Sequence, residues 1–218
     1  MFGGSFDPVH LGHLVPAVRA CETFRFDALH FVPAGRPPHR SQTLAPFAHR
    51  FAMLALATEP HDRLLVSDVE LEGDGPTYTV ETLQRLRRST AADHLYFVLG
   101  SDSFAQISTW HRWQELVELV HLVVLHRDSA WSEELRAAVP EALHARLRTV
   151  TPGVAVPDPP PGRREIYLLD HEPLAISATG LRERLRAGAA IDELVPPEVG
   201  RYIAKYRLYR QGGDERHA

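Results

Sequence analysis

The first residues of the chain constrain its fold more than any other stretch. Residues 2–13 read FGGSFDPVHLGH, and apolar residues at helical spacing follow them. We expect a short strand, a turn at Gly3 and Gly4, and a helix from about His13 to Phe24. A helix that begins behind a glycine turn points free backbone N–H groups and the positive end of its dipole at an anion. The stretch therefore predicts a site for a nucleoside triphosphate.

Two histidines strengthen this prediction. Gly12 leaves room beside the helix start, so that His10 and His13 can face the same space. Imidazoles there can donate hydrogen bonds to phosphate oxygens, whose charge grows when a phosphoryl group is attacked. The chain has 13 histidines, and a pair at this spacing would by itself be incidental. Its conjunction with the glycine pair, the Phe-Asp-Pro turn and the helix start favours a functional site.

The glycines also exclude two common nucleotide sites. The stretch has neither the G-x-G-x-x-G dinucleotide fingerprint nor the G-K-[ST] ending of a P-loop. A dehydrogenase and a P-loop NTPase are therefore disfavoured.

Composition limits the partners. The 218 residues suffice for one α/β domain with an appendage, and a net charge of −4 provides no basic field for nucleic acid. No run approaches the roughly 20 apolar residues of a membrane span, and we expect no signal peptide before the first motif. The lone Cys21 excludes an internal disulfide and is interpreted as a core residue. We expect a soluble cytoplasmic protein, and the sequence leaves a homo-oligomer open.

The start of the chain is unusual. Only Met1 and Phe2 precede Gly3, whereas a buried strand takes roughly 5–6 residues. We therefore expect the natural chain to begin before Met1.

Strands alternate with helices along the rest of the chain, which predicts an α/β fold with a Rossmann-like, doubly wound parallel sheet. Residues 131–148 are predicted to be helical with a break at Pro140. We expect a core at residues 1–176 and a small C-terminal helical subdomain at residues 177–218 that completes the nucleotide site. The other predicted strands are 28–33, 64–67, 95–100, 122–125 and 165–170, and the other helices are 47–58, 78–88, 115–120, 177–187 and 198–206.

A second candidate phosphate site lies at residues 176–184, ISATGLRER. Ser177 and Thr179 precede a predicted helix, and Arg182 lies one turn inside it. Hydroxyls, free N–H groups and a guanidinium together can hold phosphates. Taken alone, the segment is more typical of a plain helix N-cap with a surface arginine.

Gly100 and Asp102 end the clearest predicted strand, where open parallel sheets bind ligands. Asp102 can accept a hydrogen bond from a ribose hydroxyl, or it can cap the next helical turn.

These motifs carry a family resemblance. GGSFDPVHLGH resembles the signature of the nucleotidyltransferases that share a His-x-Gly-His motif and are related to class I aminoacyl-tRNA synthetases. The segment from Ile176 to Arg182 is similar to that family's Ile-Ser-x-Thr-x-Ile-Arg motif, with departures at Ala178, Gly180 and Leu181. Gly100-x-Asp102 is also kept. Within the group the chain most resembles bacterial nicotinate-mononucleotide adenylyltransferases, from residue 2 to about Arg210 and most weakly at residues 128–164.

The resemblance implies transfer of the adenylyl group of ATP to nicotinate mononucleotide, with Mg²⁺ accompanying ATP. It implies three catalytic residues, His10, His13 and Arg182. The implied ATP-binding residues are Phe2, Gly3, Gly4, Ser5, His10, Gly12, His13, Gly100, Asp102, Arg127, Ile176, Ser177, Thr179 and Arg182.

For the mononucleotide, the resemblance implies a phosphate loop and a ring-binding segment. His39 and Arg40, within Pro-Pro-His-Arg, belong to the phosphate loop. Trp110 is the stacking residue for the pyridine ring, although a core aromatic fits the same pattern because Trp113 lies nearby. The full implied set is Gly4, Ser5, His39, Arg40, Thr79, Trp110 and His111.

Two alternatives remain open at this point. One is another transferase of the same superfamily, acting on phosphopantetheine or using CTP, although the phosphopantetheine enzymes lack the Pro-Pro-His loop and the Trp110 segment. The other is a nucleotide-binding regulator without turnover, against which the retention of both His10 and His13 argues.

Overall fold

The computed structural model describes residues 1–36, 45–71, 75–126, 133–160, 162–170 and 174–210. Its centre is one seven-stranded sheet in the order β3-β2-β1-β4-β5-β7-β6, with every neighbouring pair parallel. The predicted Rossmann-like α/β fold is confirmed. The strands are β1 (Phe2–Gly4), β2 (Leu29–Pro33), β3 (Leu64–Val66), β4 (Tyr96–Gly100), β5 (His121–His126), β6 (Leu147–Val150) and β7 (Ile166–Asp170).

Helices cover both faces of the sheet. One hydrophobic cluster joins it to α1, α2, α7 and α8, and a second joins its other face to α3, α4, α5 and α6. The strands feed both clusters because alternate side chains point to opposite faces. In β4, for example, Val98 belongs to the first cluster, whereas Phe97 and Leu99 belong to the second. The helices are α1 (Leu11–Phe24), α2 (Phe47–Thr58), α3 (Thr79–Ser89), α4 (Ser101–Ala105), α5 (Trp113–Leu119), α6 (Glu133–Ala138), α7 (Ala178–Arg186) and α8 (Pro197–Tyr206).

The strand order reverses direction between β1 and β4. From β1 the chain winds outward through β2 and β3, and then returns to β4 on the other side of β1. The carboxyl ends of β1 and β4 therefore diverge into connections on opposite faces, which leaves a crevice between them. Open parallel sheets bind ligands at such a point, and Gly4 and Gly100 mark it here.

Two details of the first motif differ from the prediction. Gly3 and Gly4 lie inside β1 and not in a turn, and α1 begins at Leu11, before the expected His13. A Cβ atom on Gly4 would lie 3.0 Å from the Phe6 ring. The glycine is needed because that ring packs directly on the end of the strand.

The prediction of helix up to Arg148 is wrong. Helix α6 ends at Ala138, a 3₁₀ helix spans Glu141–Arg146, and β6 follows at the edge of the sheet. An edge strand pairs on one side only, so its sequence need not show a buried apolar run. In β6 only Val150 is buried, and the pairing with β7 is not visible in the local sequence.

Cys21 is buried in the first cluster, as predicted. Burial raises the pKa of its thiol to about 11, so that it is protonated at neutral pH. Among the described residues, no helix combines the length and apolar character that crossing a bilayer requires.

Candidate active site

A single cleft opens at the diverging ends of β1 and β4. Most of its lining comes from the segment from β1 into α1, the start of α4, and the segment around the start of α7, and Leu125 of β5 completes it. The predicted ATP-binding residues in its lining are Phe2, Gly3, Gly4, Ser5, His10, Gly12, His13, Gly100, Asp102, Ile176, Ser177, Thr179 and Arg182. The structure thus brings together motifs that lie at opposite ends of the chain.

The two histidines stack on each other at the start of α1. His10 is the N-cap residue, and the centroids of the His10 and His13 rings lie 3.7 Å apart with an angle of 30° between their planes. Gly12 makes this arrangement possible, since a Cβ atom there would lie 2.9 Å from Nδ1 of His10.

A backbone hydrogen bond fixes the proton position on His13. The backbone N–H of His10 donates to Nδ1 of His13 over 3.3 Å. Nδ1 is therefore the acceptor nitrogen, and a neutral His13 carries its proton on Nε2.

Both imidazoles are neutral at neutral pH. Burial lowers the pKa of His10 to about 4, and burial together with the neighbouring His10 lowers the pKa of His13 well below its usual value. Desolvation disfavours the charged form of a base. The pair therefore offers hydrogen bonds to an anion without itself carrying a net charge.

The start of α7 faces the histidines across the cleft. Ser177 is its N-cap, and its hydroxyl accepts a hydrogen bond from the N–H of Gly180 over 3.1 Å. The remaining N–H groups of the first turn have no intrahelical acceptor. Ser177 also fits the alternative in which the segment is only a helix N-cap. The evidence for a phosphate site is therefore that the start of α7 lines the cleft.

Arg182 joins the two helix starts. Its Nη1 donates to the backbone carbonyl of Asp7 over 2.8 Å, and its Nη2 donates to the hydroxyl of Thr179 over 2.9 Å. Its Nε is buried without a hydrogen-bond partner among the described residues. The guanidinium therefore places a positive charge at the junction of the α1 and α7 segments.

The end of β4 supplies the third wall. Gly100 is the N-cap of α4, and Asp102 lies in the first turn of that helix with its side chain exposed in the cleft. The alternative in which Asp102 is itself the cap is therefore wrong. Its exposed carboxylate can face a ligand in the cleft.

The residues predicted to bind the pyridine ring do not line this cleft in the described part of the chain. The Trp110 ring lies 6.0 Å from Phe97 and packs on the second cluster, which agrees with its reading as a core aromatic. The rings of Tyr78 and His111 lie 4.3 Å apart. Tyr78 precedes Thr79, the first residue of α3, and His111 follows Trp110, so this contact brings the two segments together. His39, Arg40 and Arg127 lie outside the described residues.

A buried arginine that was not predicted from the sequence lies behind the cleft. Arg50 of α2 is 2% exposed, and its guanidinium donates to three backbone carbonyls: Ser5 over 2.9 Å, Ala34 over 2.7 Å and Ala45 over 3.1 Å. It ties the β1–α1 connection to the segment after β2. The sequence carried one signal for it, since an arginine at a position on the apolar face of a helix requires buried partners.

Glu70 was not predicted either. It is 8% exposed, and its two carboxylate oxygens accept hydrogen bonds from the hydroxyl of Thr82 over 2.7 Å and from the N–H of Gly35 over 3.1 Å. It fastens the segment after β2 to α3. No motif in the sequence indicates this contact.

The residues around the cleft suit a metal ion that arrives with a nucleotide. No cluster of three or more His, Cys, Asp or Glu side chains that could hold a metal occurs in the described ranges. Asp7 and Asp102 are the described carboxylates that line the cleft. Mg²⁺ is commonly bound through one or two carboxylates together with substrate phosphates and water.

Comparison with known proteins places the chain in a family. The profile of the family described as cytidylyltransferase-like matches residues 1–184. A Pseudomonas aeruginosa protein named "Probable nicotinate-nucleotide adenylyltransferase" is 41% identical over 213 residues, covering 96% of each chain. The chain belongs to the cytidylyltransferase-like family and, within it, to the nicotinate-nucleotide adenylyltransferases. The resemblance stated from the sequence is confirmed.

A more distant relative and a solved structure agree. A Tropheryma whipplei protein of the same name is 38% identical over 208 residues, covering 95% of this chain and 97% of its own. The fold is similar to that of the Plasmodium falciparum nicotinic acid mononucleotide adenylyltransferase complexed with NaAD, with a TM-score of 0.70, 21% identity and 95% coverage of each chain. At that identity the structure supports the fold alone.

Proposed function

We propose that this chain transfers the adenylyl group of ATP to nicotinate mononucleotide and releases nicotinate adenine dinucleotide and pyrophosphate, a step of NAD biosynthesis. One observation carries the proposal: two helix beginnings from opposite ends of the chain line one cleft, with two neutral imidazoles and a guanidinium between them. The names of the relatives supply the reaction. The cleft supplies the hydrogen-bond donors and the positive charge that binding of a triphosphate requires.

The reaction needs no protein nucleophile. The 5′-phosphate of the mononucleotide is ionised at neutral pH, and one of its oxygens attacks the α-phosphorus of ATP. A new P–O bond forms there as the bond between the α-phosphorus and the bridging oxygen of pyrophosphate breaks. The protein therefore contributes mainly by positioning the two substrates in line and by stabilising the charge that develops on the phosphoryl oxygens.

His13 would stabilise the α-phosphate. Its Nε2–H is fixed as the donor by the bond at Nδ1. A neutral donor strengthens its hydrogen bond as negative charge grows on the acceptor, and it does so without a proton transfer. His10 supports the ring of His13 by stacking against it, and we propose that it too lies beside the α- and β-phosphates.

Arg182 and the start of α7 would hold the leaving group. The free N–H groups behind Ser177 and the guanidinium charge match a pyrophosphate anion. Asp102, at the end of β4, would accept a hydrogen bond from the ribose of ATP. Mg²⁺ bound to the phosphates would neutralise part of the charge of the leaving pyrophosphate.

The mononucleotide would bind beside the same cleft. We propose that Gly4 and Ser5 lie at its phosphate together with His39 and Arg40. The segments of Thr79 and of Trp110 and His111 would hold the pyridine ring and its carboxylate.

The experiment is a pyrophosphate-release assay with Mg-ATP and one acceptor at a time. We expect release with nicotinate mononucleotide, and the dinucleotide as the second product by mass. A reaction without acceptor is the control. Release with phosphopantetheine and not with nicotinate mononucleotide would overturn the proposal, and ATP binding without release for any acceptor would favour the regulator.

A further inference from the structure

Three side-chain hydrogen bonds from other described parts of the chain hold the connection between β1 and α1. Residues 5–9 of this connection lie outside any helix or strand and line the cleft through Ser5, Phe6 and Asp7. Two of the ties are the guanidinium contacts already described, from Arg50 to the carbonyl of Ser5 and from Arg182 to the carbonyl of Asp7. The third reaches the Asp7 side chain.

The partner of that side chain comes from the far end of the described chain. The hydroxyl of Tyr209 donates to Oδ1 of Asp7 over 2.5 Å, across 202 positions of sequence. Asp7 is 4% exposed. A buried carboxylate requires hydrogen-bond partners, and a distance this short is typical of an O–H donor on a charged oxygen. Burial and the Asp7 carboxylate raise the pKa of Tyr209 far above its ordinary value, so that it remains a donor at neutral pH.

The backbone after α8 is bent to bring Tyr209 into this position. Arg207, the residue that ends the helix, has φ of 54°, and Tyr209 itself has φ of 65°. Both residues are in the left-handed region, a backbone conformation that is energetically unfavourable for residues with a Cβ atom. The N–H of Leu208 donates to the carbonyl of Ile203 over 3.1 Å and holds the reversed chain against the helix end. The chain thus adopts an unfavourable backbone conformation at both Arg207 and Tyr209, and in this conformation the Tyr209 hydroxyl donates to Asp7.

A displacement of Asp7 would reach His10 through two residues only. Pro8 and Val9 separate the two, and Val9 is completely buried. His10 in turn stacks on His13. The Tyr209 ring packs against the first hydrophobic cluster and is not among the described residues that line the cleft, so its hydroxyl reaches the cleft through Asp7.

We propose that Tyr209 is a positioning residue for adenylyl transfer: its hydroxyl holds the Asp7 carboxylate and thereby the alignment of His10 and His13 with the triphosphate. The proposal rests on the function proposed above. It makes the C-terminal segment a part of the catalytic apparatus without contact to substrate.

The test is Tyr209→Phe, which removes one oxygen and leaves the ring. We expect kcat to fall about 10-fold, since a misplacement of reacting groups by 1 Å costs on the order of 10²-fold. The KM values for ATP and nicotinate mononucleotide should stay within about 3-fold, because the cleft lining is unchanged. Kinetics are measured well below the melting temperature of the variant, so that the folded fraction is complete.

Tyr206→Phe is the matched control. It removes the same atom from the same segment, and Tyr206 is exposed on α8 beside His49 and Tyr202. Its kcat should equal that of the unsubstituted protein.

A double-substitution cycle separates positioning from general stability. Asp7→Ala removes the acceptor that the Tyr209 hydroxyl bonds, so the double variant should be no slower than Asp7→Ala alone. The inference would be overturned if Tyr209→Phe had the kcat of the unsubstituted protein. It would also be overturned if the double variant lost as much kcat as the two single variants together. An unsubstituted protein inactive with every acceptor would instead contradict the proposed function.

Discussion

Gly12→Ala tests whether the position of the His10 ring controls catalysis. An alanine Cβ would lie 2.9 Å from Nδ1 and 3.0 Å from Cε1 of His10, whereas ordinary contact begins at about 3.4 Å. The ring must therefore retreat by about 0.5 Å, and the stacked His13 ring at 3.7 Å restricts where it can go. A misplacement of 1 Å costs on the order of 10²-fold in rate. We expect kcat to fall about 10-fold, measured by pyrophosphate release at saturating substrates.

Stability should respond differently. Alanine favours a helix over glycine by about 1 kcal/mol, which offsets the strain at His10, so the free energy of unfolding should change by less than about 1 kcal/mol. Gly200→Ala in α8 is the matched control, because its nearest neighbour would be Cγ2 of Val195 at 3.7 Å. That control should gain up to about 1 kcal/mol and keep its kcat. Equal kcat in both variants would refute the argument from the His10 ring.

The remaining predictions concern the neighbours of this site. His13→Ala should lower kcat by about 10²–10³-fold with little change in the KM for ATP, since the hydrogen bond strengthens in the transition state; an unchanged kcat would remove His13 from the mechanism. Arg50→Lys keeps the charge but cannot reach three carbonyls, so it should lower the free energy of unfolding by about 2–3 kcal/mol. The melting temperature should then fall by roughly 5–10 °C, and an unchanged melting temperature would contradict the stabilising role of the three Arg50 hydrogen bonds. Burial lowers the pKa values of His10 and His121 to about 4, whereas both histidines take up protons near pH 6.5 in the unfolded chain. The free energy of unfolding should therefore be constant above pH 6.5 and fall between pH 6.5 and 4, by up to about 1.4 kcal/mol per pH unit for each histidine. Urea unfolding at pH 7.5, 6 and 5 measures this, His121→Gln should reduce the slope, and a constant free energy over that range would contradict it.

The sequence predicted the parts of the fold whose signals are local. The strand ending at Gly100 is a continuous apolar run, and α2 was predicted with the bounds that the structure has, Phe47–Thr58. The strand is buried in the sheet, and α2 packs its buried face on the first hydrophobic cluster, so each carries the pattern of its burial. Strand β6 has no such pattern, because at the sheet edge Arg148 and Thr149 are exposed and the strand is defined by its pairing with β7.

The candidate site divides in the same way. The α1 and α7 beginnings could be predicted from the sequence because capping residues, glycines and histidines lie within a few positions of one another. The contacts of Arg50 with Ser5 and of Tyr209 with Asp7 could not be predicted, since these partners lie 45 and 202 positions away. A hydrogen bond from a side chain to a partner that is distant along the chain leaves almost no trace in the local sequence.

The most direct test of the account is a crystal structure with a non-hydrolysable ATP analogue and nicotinate mononucleotide. We expect an α-phosphate oxygen at about 2.6–3.2 Å from Nε2 of His13. The terminal phosphates should lie at the start of α7 beside Ser177 and Arg182. A triphosphate bound away from either helix beginning, or a His13 ring turned from the phosphates, would contradict it.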